Sequence, residues 1–142
     1  MRFFTMAWWG GDHQGDDPIA AYAAHLAAIH DRLPPDLIAT QESVSLHDTR
    51  LREMQLLLND RSLRVALESH AGDKRLTLLY SGVNRFDSFA APDVYLGGPG
   101  GYGDLGYCEV DVLPDGSFEH RLLFSTGIEL VVEFRGFQFL RW

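Results

Sequence analysis

The chain holds one cysteine, Cys108, in 142 residues, so no disulfide can form within it. That fits a reducing compartment, and a thiol in a strand of Tyr, Val and Glu reads as a small core residue. Basic residues are scarce as well: 12 Lys and Arg stand against 20 Asp and Glu, a net charge of −8. A phosphate backbone rewards Lys and Arg, so this balance argues against a nucleic-acid binder. The same field would speed encounter with a basic protein, and it also serves solubility. No apolar run approaches the ~18 residues that span a bilayer. The opening MRFFTMAWWGGDHQGDD lacks the apolar stretch and small-residue cleavage site of a secretory signal. These absences predict a cytoplasmic protein with no membrane partner.

Metal and cofactor signatures are missing too. The six histidines, His13, His25, His30, His47, His70 and His120, form no HxH, HExxH or Cys/His cluster, so no metal site is expected. Gly97, Gly98, Gly100, Gly101 and Gly103 resemble a phosphate cradle only superficially. No Lys-Ser or Lys-Thr follows them, and the segment leads into a strand where a dinucleotide loop needs a helix. No cofactor is expected.

What is present describes one α+β domain over residues 1–142. Asp16 or Asp17 can cap a helix with Pro18 at its first position, running to about Leu33 and stopping at Pro34-Pro35. Ile19, Tyr22, Leu26, Ile29 and Leu33 fall three or four apart and form one apolar stripe. Leu46 to Leu58 reads as mainly extended. Leu63–Glu68 and Arg75–Tyr80 read as strands between the turns Asn59-Asp60 and Ala71-Gly72-Asp73. Residues 84–106 read as a long Gly-rich loop, of the kind used for lids and binding.

From Tyr107 to Arg135 the sequence spells a β-meander turning at Pro114-Asp115-Gly116 and Thr126-Gly127. A three-residue first turn sets Glu109 opposite Arg121 and Val110 opposite His120. A two-residue second turn sets His120 opposite Glu133 and Leu123 opposite Leu130. The expected whole is an N-terminal helix packed on a twisted, mainly antiparallel β-meander of about six strands.

Two pairs could carry chemistry. His47-Asp48 has the residue types of a metal or acid–base site but no companions at fixed spacing. On an extended segment its side chains would point to opposite faces, and Asp48 would simply tie down the preceding turn. Glu119-His120 could be a general base with its carboxylate, but a His–Glu pair across strands is a common structural feature, and no activated nucleophile is nearby. Trp8, Trp9, Phe86, Phe89, Tyr95 and Tyr102 are candidate binding aromatics, with core packing as the plainer role.

MRFFT, Leu46-His47-Asp48, Tyr80-Ser81-Gly82-Val83, Asp115 to Ser125 and Gly127-Ile128-Glu129-Leu130 recur in order in a recognisable group. In these motifs the chain resembles short bacterial proteins of unknown function that begin Met-Lys/Arg-aromatic-Phe-Thr. In size, acidity and sheet-rich layout it is similar to immunity proteins of bacterial toxin systems. The first resemblance implies a single α+β domain and lends no catalytic residue; it lapses at the Gly-rich stretch from Gly97 to Gly103. The expected function is a non-catalytic protein-binding module, possible partners including a basic toxin. The alternative is a small-molecule binder or hydrolase with a pocket between the sheet and the 84–106 loop.

Overall fold

The computed structural model describes residues 1–15, 17–90 and 101–141. Three helices and one 3-10 turn come first: α1 (Met6–Trp9), α2 (Pro18–Ile29), the 3-10 turn His30–Arg32, and α3 (Pro35–Glu42). Eight strands follow: β1 (Thr49–Leu57), β2 (Ser62–Ser69), β3 (Arg75–Ser81), β4 (Arg85–Phe89), β5 (Asp104–Val112), β6 (Phe118–Phe124), β7 (Glu129–Phe134) and β8 (Gly136–Arg141). They form one antiparallel sheet in the order β4-β7-β6-β5-β1-β2-β3-β8. The fold is α+β, as the sequence implies, but the described residues form eight strands and not about six.

The two strands that local pattern did not reveal, β4 and β8, are the two edges of the sheet. Each pairs far from its chain neighbour, β4 with β7 and β8 with β3. The expected meander order therefore holds only within two blocks, β1-β2-β3 and β5-β6-β7. Residues 84–106 are correspondingly less of a loop than expected, because β4 takes Arg85–Phe89 and β5 starts at Asp104. Tyr95, Gly97, Gly98 and Gly100 lie outside the described residues.

The topology forces the sheet to roll. β7 and β8 are joined by Arg135 alone, yet they stand second and eighth in the sheet. β3 and β4, joined by residues 82–84, stand seventh and first. The two links cross where Arg135 N donates to Ser81 O at 3.0 Å and Asn84 N donates to Glu133 O at 2.8 Å. Gly82 has φ +59° there, and a Cβ would press on the Cβ of Arg135 at 3.1 Å. Only glycine accepts that backbone and that approach together.

Asp17 caps α2 through Ile19 N at 3.0 Å, with Pro18 in the first turn. The helix ends earlier than expected, in a 3-10 turn, and Ile19 is not on its buried face, being 58% exposed. Tyr22, Ile29 and Leu33 are buried. Pro34-Pro35 stops one helix and starts the next: Pro35 opens α3, which supplies the fully buried Leu37. Missing an N–H is harmless at a first helical position, which is why a breaker can also be a start.

Register explains the two faces of the meander. Leu113 and Ser117 close a three-residue turn with Gly116 at φ +83°, and Glu109 does face Arg121 and Val110 does face His120. The second turn is one residue longer than expected, Ser125-Thr126-Gly127, so His120 faces Val132, Glu119 faces Glu133, Leu122 faces Leu130 and Leu123 faces Glu129. A slip of one residue exchanges the faces of a strand. Leu130, Val132 and Phe134 consequently join Val110, Leu122 and Phe124 in the core, whereas Val131 lies on the other face. That other face is covered as well. The backbone N–H groups of Arg2, Phe3 and Phe4 donate to the Glu109 carboxylate on β5, and the α-ammonium of Met1 meets Glu129 on β7 at 2.7 Å. The N-terminal segment thus crosses β6, and Leu123 on β6 and Val131 on β7 are fully buried. No helix among the described residues is long and apolar enough to cross a membrane.

Candidate binding surface

β1 and β5 pair only at Thr49–Leu105 and Arg50–Asp104 and then part. Side chains take over the backbone groups that β5 leaves open. Val110 N donates to Tyr22 Oη at 2.9 Å, His25 Nε2 lies 3.2 Å from Val110 O, and His47 Nδ1 lies 2.6 Å from Gly106 O. A cleft of about 410 Å³ remains, lined in part by Tyr22, Gln41, Leu46, His47, Tyr107 and Cys108.

His47 is therefore in a cleft, but its chemistry is already committed. Its Nδ1 is held by the Gly106 carbonyl, and its Nε2 lies 3.3 Å from Asp48 Oδ1. The two side chains approach because Asp48 sits in a turn at φ +62°, not in the extended backbone expected of it. The preceding turn is tied by Thr49, whose Oγ1 donates to Leu46 O at 2.6 Å, and not by Asp48. The thiol in the cleft is held unreactive. Burial pushes the Cys108 thiol up to about 11, and Gln41 Nε2 donates to its sulfur at 3.3 Å. A thiol is reactive as thiolate, and this environment suppresses it.

Glu119 and His120 point to opposite faces of β6. Glu119 receives Arg121 Nε at 2.7 Å, a pair along one strand face. His120 is fully buried with its Nδ1 2.8 Å from Tyr80 Oη, and its Nε2 has no hydrogen-bond partner among the described residues. Burial pulls its pKa down to about 3 and raises that of Tyr80. The expected His120–Glu133 pair does not form. None of the four candidates meets another beyond its own sequence neighbour, and among the described residues no group of three His, Cys, Asp or Glu could hold a metal ion.

The aromatic candidates divide. Tyr107 gathers Phe4 in a stack at 4.9 Å, with Trp8 and Trp9 edge-on at 5.3 Å each. Both tryptophans thus pack on the sheet. Tyr102 lies edge-on to Phe124 at 5.5 Å, and Phe86 packs against the core. Phe89 is 48% exposed at the end of an edge strand.

The strongest surface feature is elsewhere, at the tip of the β1–β2 hairpin. Leu56, Leu57 and Leu58 are 41%, 42% and 76% exposed, three leucines in succession. The tip is held in place: Val83 N donates to Arg61 O at 2.8 Å, and the Arg61 guanidinium donates to Asn84 Oδ1. A cleft flanks it on each side. One, about 730 Å³, is lined by Leu57 with Gln55, Arg64, Leu79, Arg135 and Gln138. The other, about 210 Å³, is lined by Leu56 and Leu58 with Arg61, Val83, Arg85 and Phe86.

No protein-family model and no curated protein matches this chain. The reading of this surface accordingly rests on its geometry.

The leucine tip is visible in the sequence as LLLND, which by pattern alone gives only a strand leading to a turn. Alternation would have buried every second leucine. Three in a row must expose at least one on a two-faced strand, and this was the available signal.

Proposed function

We propose that this chain is a non-catalytic protein-binding module that engages its partner through the β1–β2 tip. The observation that carries the reading is the run Leu56-Leu57-Leu58, exposed on a hairpin whose backbone is pinned to the β3–β4 link. Exposed apolar residues scattered singly are ordinary, but a contiguous, rigidly held set beside two clefts has the character of an interface core. The inert Cys108, the dispersal of His47, Asp48, Glu119 and His120, and the burial of His120 all weigh against the hydrolase alternative.

The resemblance to short bacterial proteins of unknown function, and the immunity-type role with a basic toxin, belong to this proposal. The net charge of −8 supports the latter. Against it, the carboxylates of the meander are spent internally: Glu109 on the N-terminal backbone, Glu119 on Arg121, Glu129 on Met1. The half-buried free thiol of Cys108 supports a cytoplasmic location.

Affinity capture with the wild-type chain and with Leu57→Ser/Leu58→Ser tests the reading. A partner retained by the first and lost by the second, with both folded by circular dichroism, is the expected result. Capture that is identical for the two would remove the tip from consideration.

A further inference from the structure

The two clefts beside the leucine tip are lined by cations, in a chain that is acidic as a whole. Arg61, Arg64, Arg85 and Arg135 line the two clefts, and among the described residues no carboxylate lines either. This holds in a chain with 20 acidic and 12 basic residues, so four of the twelve cations are divided between the two clefts that flank one apolar tip. Arg64 and Arg135 stand beside Leu57, and Arg61 and Arg85 beside Leu56 and Leu58. Asp60 is the acidic residue of the tip turn itself. Two of the four arginines have carboxylate neighbours outside the clefts, Arg85 with Asp87 and Glu133, and Arg135 with Asp115. The other two make no ion pair among the described residues: Arg61 bonds the neutral amide of Asn84, and Arg64 also borders a cleft that holds Glu68 without bonding to it.

We infer that the tip recognises an acidic, apolar peptide segment of its partner protein, with aliphatic or aromatic side chains seated beside Leu56–Leu58 and carboxylates against Arg61 and Arg64. This rests on the protein-binding reading above and gives the partner's chemistry at the tip, in place of the basic toxin that the net charge alone favours. Guanidinium groups present a planar fork that matches a carboxylate, and each loses little solvation at a partly exposed rim. A basic segment would set like charges against four arginines around an apolar contact that excludes water, so this surface selects against it. A second copy of the chain meeting tip to tip would bring the same arginines together and is disfavoured for the same reason. The pinned hairpin also limits the ordering that binding must impose, since the apolar contact is presented before the partner arrives.

The test is to pan a phage-displayed library of random 12-residue peptides on the immobilised chain, then titrate the enriched sequences as fluorescein-labelled peptides. Enrichment of peptides combining Asp or Glu with Leu, Ile, Phe or Trp is expected. Their binding should weaken about 10-fold or more in Arg64→Glu and in Leu58→Ser, and again between 50 and about 300 mM salt. Both substitutions are at exposed positions, and thermal unfolding verifies that each variant is folded. A second measurement needs no variant: hydrogen exchange of the wild-type complex should slow at residues 55–64 and 83–86. Enrichment of Lys- or Arg-rich peptides, or of acidic peptides that protect some other surface, overturns the inferred chemistry and leaves protein binding standing. No enrichment above the uncoated support overturns both.

Discussion

The phenol oxygen of Tyr80 lies 2.8 Å from Nδ1 of His120, and both side chains are sealed in the core among Phe134 and Phe137. The pair joins β3 to β6, strands that are not neighbours in the sheet, so it is a product of the sheet's rolling. Nε2 of His120 meets no partner among the described residues, whichever tautomer is present.

This pair makes the protein acid-sensitive. His120 has its pKa lowered to about 3 when folded, against about 6.5 in an unfolded chain. Between those values the unfolded state binds the extra proton, so stability falls as pH drops through that window. Urea unfolding at pH 7 and pH 4 should differ by roughly 3 kcal/mol on account of this residue alone. Tyr80→Phe/His120→Leu should flatten that dependence and cost little at pH 7, because both polar partners leave together. Tyr80→Phe alone orphans both ring nitrogens and should cost roughly 1–3 kcal/mol. An equally steep acid limb in the double variant would show that another group governs it.

Glu109 anchors the N-terminal segment. Its buried carboxylate accepts the N–H groups of Arg2, Phe3 and Phe4 at 2.9, 2.7 and 2.7 Å. Glu109→Gln replaces one acceptor oxygen by a donor facing donors and should destabilise by roughly 1–3 kcal/mol. Trp8 and Trp9 reach Tyr107 from this segment, so their emission should shift to the red and residues 2–9 should exchange hydrogen faster. Unchanged emission would mean that aromatic packing alone holds the segment.

Gly106 leaves room for Trp9. A Cβ on Gly106 would overlap the far edge of the half-buried indole ring, which must move off Tyr107 to admit it. Gly106→Ala should lower stability by about 1–3 kcal/mol through overpacking. Trp9→Ala in the same chain should recover part of that loss, and strictly additive effects in the double-mutant cycle would disprove the contact.

Cys108 should be a slow thiol. With its pKa raised to about 11 by burial, alkylation by iodoacetamide at pH 8 should run about 100-fold slower, or more, than in urea. Comparable rates in the two states would place the sulfur at the surface.

The first hairpin of the meander was legible because Pro114-Asp115-Gly116 admits one turn, and with it the Glu109–Arg121 register. Thr126-Gly127 was ambiguous. The added Ser125 moved β7 by one residue and changed which side chains are buried, which the apolar pattern ELVVEF, nearly uniform on both faces, could not decide. The helix cap at Asp17-Pro18 was readable, whereas Pro34-Pro35 marked a stop and concealed the start of α3. Of the candidate site, the residue types were visible and their placement was not. His47 and Asp48 met because of a left-handed turn, and His120 disappeared into the core.

By itself the sequence determined what is local: one α+β chain, its caps and turns, the interior strands, an acidic balance and a single unpaired thiol. These depend on side-chain chemistry and on contacts a few residues apart. The edge strands β4 and β8, the rolled sheet with its Tyr80–His120 pair, and the arginine-rimmed leucine tip were decided by the tertiary structure alone. Each brings together residues distant in the chain, Arg61 with Asn84 or Ser81 with Arg135. No period or spacing encodes such a meeting; only the closing of the sheet produces it.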